Sequence, residues 1–192
     1  MTLTNEPDEG YLTGQLLIAM PGLHDARFAR TVIYMCAHNE DGAMGLVINR
    51  LIGAITFPDL LRQLGIESTG LTDEIRVHFG GPVESGRGFV LHSSDYLQEG
   101  SLNVDGKVVL TATIDILHDI AAGLGPRQRL MALGYAGWGP GQLDSEIQAN
   151  GWLNADADDD IVFGQDLESK WERAISKLGV QVSNLSDAAG HA

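Results

Sequence analysis

Thr31–Asn49 reads TVIYMCAHNEDGAMGLVIN, and the fold turns on how this stretch is read. Two runs rich in Val, Ile and Met, Thr31–His38 and Met44–Asn49, flank Asn39–Gly42, whose Asn, Asp and Gly suit a tight turn. The pattern predicts an antiparallel hairpin. Gln15–Met20 (QLLIAM) adds a third short apolar run upstream. Downstream, Ile75–Phe79, Gly88–His92, Val108–Thr111 and Arg129–Tyr135 have the same strand character. Helical spacing appears in between. Thr56 can cap a helix over Phe57–Leu64, with Pro58 in its first turn, Leu60, Leu61 and Leu64 on one face, and Gly65 as its stop. Thr113 can cap a second, with Ile116, Leu117, Ile120 and Ala121 at helical spacing before Gly123. Gln142–Ala149 reads as a third, ended by Asn150–Gly151. Leu167–Leu178 reads as a fourth, capped by Asp166, with Leu167, Trp171, Ile175 and Leu178 in one stripe and Gly179 behind. Strands joined by short links, with helices interspersed in no regular βαβ alternation, predict an α+β fold.

The chain has 192 residues, 44% of them hydrophobic and 20% charged, which fits one globular domain. We expect that domain over 11–182, with polar tails at 1–10 and 183–192. The acidic MTLTNEPDEG start has no basic stretch leading into an apolar one, so no targeting signal is expected, and no apolar run approaches the roughly 20 residues of a membrane helix. A cytoplasmic protein is the expectation. The lone cysteine, Cys36, rules out an internal disulfide framework and suits a reducing compartment. Twelve basic against 26 acidic residues give a formal net charge of -14, which repels phosphate backbones and disfavours direct nucleic-acid binding.

Cys36 and His38 invite a thiolate–imidazole reading, but strand residues two apart share a face at roughly 6–7 Å, beyond hydrogen-bond reach. A core thiol and a strand-end histidine are expected instead. The six histidines, His24, His38, His78, His92, His118 and His191, show no zinc-protease spacing. His78 and His92 end neighbouring strand candidates and are the pair expected to meet, yet no metal site is predicted. Asn154–Asp160 (NADADDD) begins like a calcium loop but has Asp159 where the glycine belongs and Gln165 where the bidentate glutamate belongs. It reads as a solvated acidic loop. Gly134–Gln142 (GYAGWGPGQ) leads into a helix without the lysine of a phosphate loop, so its glycines are read as tight turns around Tyr135 and Trp138. Gly80–Gly81–Pro82 reads as a sharp turn. No cofactor is implied, and no Gly-x-Ser-x-Gly elbow is present.

Four segments carry a wider resemblance: GQLLIAMPGLHDARFARTVIYMCAHNEDGAMGLVINR (Gly14–Arg50), FGGPVESGRGFVLH (Phe79–His92), TIDIL (Thr113–Leu117) and ALGYAGWGPGQLDSEIQANGWL (Ala132–Leu153). In order and spacing the chain resembles the bacterial YqgE/AlgH family. The resemblance implies a single compact α+β domain in which mixed, mostly antiparallel sheets wrap toward a small barrel with flanking helices. Some members carry the label of transcriptional regulator, linked by name to alginate production. The family supplies no agreed catalytic residues to carry across. The chain departs from its pattern at Leu51–Ile52, where a proline is usual after Asn-Arg, and at Thr31, where serine is commoner.

Two functions are open at the level of sequence. One is a regulator acting indirectly, through a protein partner or a small ligand, since no helix-turn-helix with clustered basic residues is present. The other is an enzyme whose site is assembled at strand ends and glycine turns. Asn49, Arg50, Gly80, Gly81, Pro82, Arg87, His92, Tyr135, Trp138 and Gln142 are the candidate binding residues, because loops at the ends of buried strands are where a rigid frame presents polar groups. In that reading His92 is the acid or base and Arg50 holds an anionic substrate.

Overall fold

The computed structural model describes residues 10–179 except 24, 68–71 and 73. The expected tails, Gly10 apart, lie outside the described residues, as do His24 and His191. Among the described residues there are nine strands: β1 (Gln15–Ala19), β2 (Val32–Asn39), β3 (Gly42–Val47), β4 (Val77–Phe79), β5 (Val83–Ser93), β6 (Leu102–Asn103), β7 (Val108–Thr111), β8 (Arg129–Trp138) and β9 (Trp152–Asp156). Five helices accompany them among the described residues: α1 (Phe57–Gln63), α2 (Ile114–Ala121), α3 (Gln142–Gln148), α4 (Asp159–Phe163) and α5 (Lys170–Ser176). The strands form one sheet in the order β6-β7-β5-β8-β3-β2-β1-β9, with β4 added beside β8. Every pairing is antiparallel except β4 with β8. The opening stretch forms the predicted hairpin: Asn39 pairs Gly42 across a two-residue turn, and Gly42 has φ 140°.

Alternation divides the buried side chains between two faces. Leu16, Ile18, Val32, Tyr34, Cys36, Leu46, Phe89, Leu91, Leu130 and Ala155 converge in one cluster. Their neighbours divide into two clusters on the other face, one under α1 and α2, the other around Trp138, Leu143 and Trp152. One converging and two separate clusters are what a curled sheet produces, and the sheet is a half-barrel. Helices α4 and α5 plug one end of it. Trp171 there donates from Nε1 to Ala19 O at 2.8 Å, and Ile161, Ala174 and Ile175 complete the inner cluster.

Local chemistry explains most element boundaries. The Thr56 hydroxyl accepts from Asp59 N at 3.2 Å and the Asp59 carboxylate receives Thr56 N, which closes a capping box on α1. Thr113 stands at the N-cap of α2, yet its hydroxyl donates to Gln98 Oε1 at 2.8 Å instead of accepting from the helix. Helix α5 is shorter than its apolar stripe predicts. Residues 167–169 form a turn and Ser169 is the N-cap, because Asp166 receives Ser169 N, at 3.4 Å, and caps that preceding turn. The acidic run is no loop: Asn154 and Asp156 lie in β9, and Asp158 caps α4, accepting from Ile161 N at 2.9 Å. Nor is Gly134–Trp138 a chain of turns, since β8 runs through it.

Two irregularities in the sheet reset which face a residue occupies. Strand β2 shifts register between Met35 and Ala37. Cys36 therefore belongs to the inner cluster, whereas His38 reaches outward to Leu12 N at 3.0 Å and toward Asp144 of α3 at 3.6 Å. The bulge separates the two residues expected to share a face. The second irregularity is at Gly134. Strands β4 and β5 pair opposite edges of β8, since Met131 faces both Val77 and Val90, so residues 80–82 cross over β8. A Cβ on Gly80 would stand 2.2 Å from Gly134 O, one on Gly81 2.0 Å from Tyr135 C, and one on Gly134 2.3 Å from Gly81 O. Three glycines let one backbone cross another at contact distance.

Candidate functional site

The end of the half-barrel away from α4 and α5 is open. A cleft of about 660 Å³ lies there, beside the β2–β3 hairpin. Its floor is the uncovered margin of the inner cluster: Met44 of β3, Phe89 of β5, Leu110 of β7 and Tyr135 of β8. The Phe89 and Tyr135 rings meet edge to face at 5.8 Å. Asn39, Asp41, Glu84 and Arg87 supply polar groups at the rim. The Arg87 guanidinium lies 5.2 Å from the Phe89 ring centre and 3.3 Å from Glu84. Both residues belong to the segment 84–87, which bulges from β5 opposite Gly134, and Glu84 itself has φ 46°. The crossing of the three glycines thus shapes one wall of the cleft.

Of the residues named from sequence, Arg87, Tyr135 and Trp138 line this cleft. Trp138 is anchored from behind: its Nε1 and that of Trp152 both donate to Glu146 Oε1, at 3.3 and 3.0 Å. Gln142 is part of the same knot, donating to Glu146 Oε2 at 3.0 Å and accepting from Gly139 N at 3.0 Å. Gly80 and Gly81 make the crossing, and Pro82 leaves it half-buried. Asn49 ties the ends of two strands, accepting from Val32 N at 2.9 Å and donating to Arg30 O at 2.9 Å. Arg50 donates to Arg27 O and, at 2.8 Å, to Ala29 O.

His92 is fully buried. Its Nδ1–H donates to Ser93 O at 2.8 Å, and Nε2 accepts from the Thr111 hydroxyl at 2.7 Å. Burial, above all, holds its pKa below the ordinary histidine value. Arg50 lines a different hollow, beside Arg30, Asn49 and Trp171, so no described cavity brings His92 and Arg50 together. His78 and His92 do not meet either. They sit on strands at opposite edges of β8, His78 opposite Ala132 and His92 opposite Arg129. Burial pushes the Cys36 thiol up to about 12, which keeps it protonated at neutral pH. Among the described residues no three His, Cys, Asp or Glu side chains are grouped to hold a metal ion, and no helix is long and apolar enough to cross a membrane.

A curled sheet with a plugged end, an open apolar cleft and a backbone crossing at three glycines defines a single-domain α+β half-barrel. The chain belongs to the AlgH-like family (DUF179), whose profile matches residues 16–183. A UPF0301 protein of Afipia carboxidovorans is 56% identical over 190 residues, covering 95% of this chain and 90% of that one. One from Rhodospirillum rubrum is 56% identical over 184 residues, covering 96% of both. The solution structure of AlgH from Pseudomonas aeruginosa superposes with TM-score 0.80 at 42% identity, over 97% of this chain and 99% of that one. The crystal structure of protein DIP2367 from Corynebacterium diphtheriae shares the fold at TM-score 0.73 and 18% identity, over 95% and 93% of the two chains.

Proposed function

We propose that the protein is a ligand-binding regulator whose open cleft takes a small molecule with an apolar, ring-bearing body and a polar edge. Any effect on transcription then runs through that ligand or a protein partner in the cytoplasm, without direct reading of DNA. The cleft itself carries the reading. An apolar floor with a few convergent polar groups is the usual form of a small-molecule site, and here the floor is the exposed end of the main core. Met44, Phe89, Leu110 and Tyr135 would hold the rings. Asn39, Asp41 and the Arg87–Glu84 pair would meet the polar edge. The formal charge of -14 supports the exclusion of duplex DNA.

Titration with indole, a ring-bearing probe with one polar N–H, tests the site by amide chemical shifts. Saturable shifts are expected at Met44, Phe89, Tyr135 and Gly137. Ala112 is exposed at the cleft margin, so Ala112→Trp fills the space without entering the core and should abolish those shifts. Shifts that survive the substitution, or none at all, overturn the site. Fluorescence anisotropy with labelled duplex DNA over a salt series should stay flat, and a steep salt slope would restore direct DNA reading.

A further inference from the structure

At the plugged end of the half-barrel, away from the cleft, three arginines converge on a second pocket of about 290 Å³. Arg76 precedes β4, Arg127 precedes β8 and Arg129 opens β8. In a chain with 26 acidic residues to 12 basic, most exposed arginines find a carboxylate: Arg27, Arg30, Arg62 and Arg87 each have one within 4 Å. The three in the pocket have no ion pair among the described residues. Arg76 Nη2 donates to Gln165 O and Oε1 at 2.6 and 3.1 Å, and Arg129 Nη1 donates to Pro126 O at 3.2 Å. Among the described residues Glu74 is the single acidic side chain in the pocket wall, and Asp95 stands near Arg127, whose N–H it receives at 3.0 Å.

Two buried polar atoms of the pocket-lining residues have no hydrogen-bond partner among the described residues: Arg129 Nε and His78 Nε2. His78 is 6% exposed, and its Nδ1–H donates to Met131 O at 3.1 Å, which leaves Nε2 with a free lone pair. Burial, with the charges of Lys170 and Arg76, holds its pKa down to about 4, so the ring is neutral at pH 7. Buried polar groups without partners call for an explanation. A donor and an acceptor are both left open beside unpaired guanidinium groups. One group answers all three: a phosphate, whose charged oxygens suit arginine, with a hydroxyl to donate from the P–O–H of the free ion or from the polyol of an ester.

We propose that this pocket binds a phosphate group, free or carried on a small polyol, through Arg76, Arg127 and Arg129, with His78 accepting the ligand's hydroxyl. A single pocket of about 290 Å³, rather than a basic stripe, favours a small ligand over a nucleic-acid backbone. The proposal stands apart from the open cleft.

The test is titration of the full chain with sodium phosphate and with glycerol 3-phosphate at constant ionic strength, read by amide shifts. Saturable changes confined to 76–79, 127–131 and 163–165 are expected with both, and the tighter of the two names the physiological form. Sulfate has the same shape without the hydroxyl and should bind more weakly, so equal binding by sulfate overturns the assignment to phosphate. Arg127 is exposed, so Arg127→Gln keeps the fold and should weaken binding about tenfold, as should Arg76→Gln. Arg62→Gln, on the outside of α1, should leave binding unchanged. Absence of saturation, equal weakening by Arg62→Gln, or tighter binding of a single-stranded oligonucleotide overturns the proposal.

Discussion

Gly134 carries more of this structure than any side chain near it. Its φ of 74° lies in the left-handed region, and a Cβ there would sit 2.3 Å from Gly81 O and 3.1 Å from Val83 O. The residue also resets the alternation of β8: Leu130 and Ala132 face the inner cluster before it, and Ala136 and Trp138 face the outer one after it. Gly134→Ala combines a left-handed alanine with overpacking against backbone, and should cost about 3 kcal/mol, read as a lower urea midpoint. In sequence Gly134 is one of four glycines in Gly134–Gln142, with nothing to separate a residue in a strand crossing from its neighbours in a turn. The same holds for His92. Its strand-end position was legible, but engagement of both ring nitrogens by Ser93 and Thr111 depends on where β7 lies beside β5.

At the scale of the element, propensity and capping rules go furthest where the signal is local. Helix α1 is written into Thr56, Pro58 and Asp59, and Thr56→Ala should lower stability by about 1 kcal/mol, with hydrogen exchange accelerating first in α1. Strand β7 matches its prediction residue for residue. Where elements were missed, the local signal is weak. Strand β9 is edge-exposed, with a polar face of Asn154 and Asp156, and exists because its backbone pairs β1 over its full length. Helix α4 has five residues, too short to show a period, and holds by its Asp158 cap and the burial of Ile161 and Val162. The bulge in β2 leaves no mark in TVIYMCAH. It follows from two-faced packing, which takes Cys36 inward and His38 out to α3.

For the whole molecule, buried titratable groups set the response to pH. Lys170 is fully buried, donating to Ile48 O and Val162 O at 3.0 Å each, and burial pushes its pKa down from 10.5 to about 7. The unfolded chain therefore holds a proton above pH 7 that the folded one releases, so stability rises with pH there, by at most about 1.4 kcal/mol per unit. Above pH 9 the Cys36 thiol, raised from 9.0 to about 12, acts in the opposite sense. His78, lowered from 6.5 to about 4, stays neutral while the unfolded chain takes up a proton, and His92, also lowered, acts in the same direction. Stability falls as pH drops from 6.5 toward 4. Urea unfolding from pH 5 to 9 should show stability rising with pH through to pH 9, and Lys170→Met should flatten the limb between 7 and 9.

Composition and periodicity by themselves determined the α+β class, the central hairpin and helices α1 to α3 in outline. These properties are written in neighbouring residues or in sums over the chain. Three cleft residues, Arg87, Tyr135 and Trp138, were also legible, because aromatic and charged residues beside glycines at strand ends announce a loop-built site. Only the tertiary structure decided the cleft floor and the arginine pocket. Met44, Phe89 and Leu110 look like any core residues until curvature leaves one end of the inner cluster uncovered. Arg76 is more than fifty positions from Arg127 and Arg129 in the chain, and they share a pocket because β4 and β8 run parallel, side by side. Short-range patterns report on elements, whereas a site gathered from distant strands depends on register and curvature, which no local spacing records.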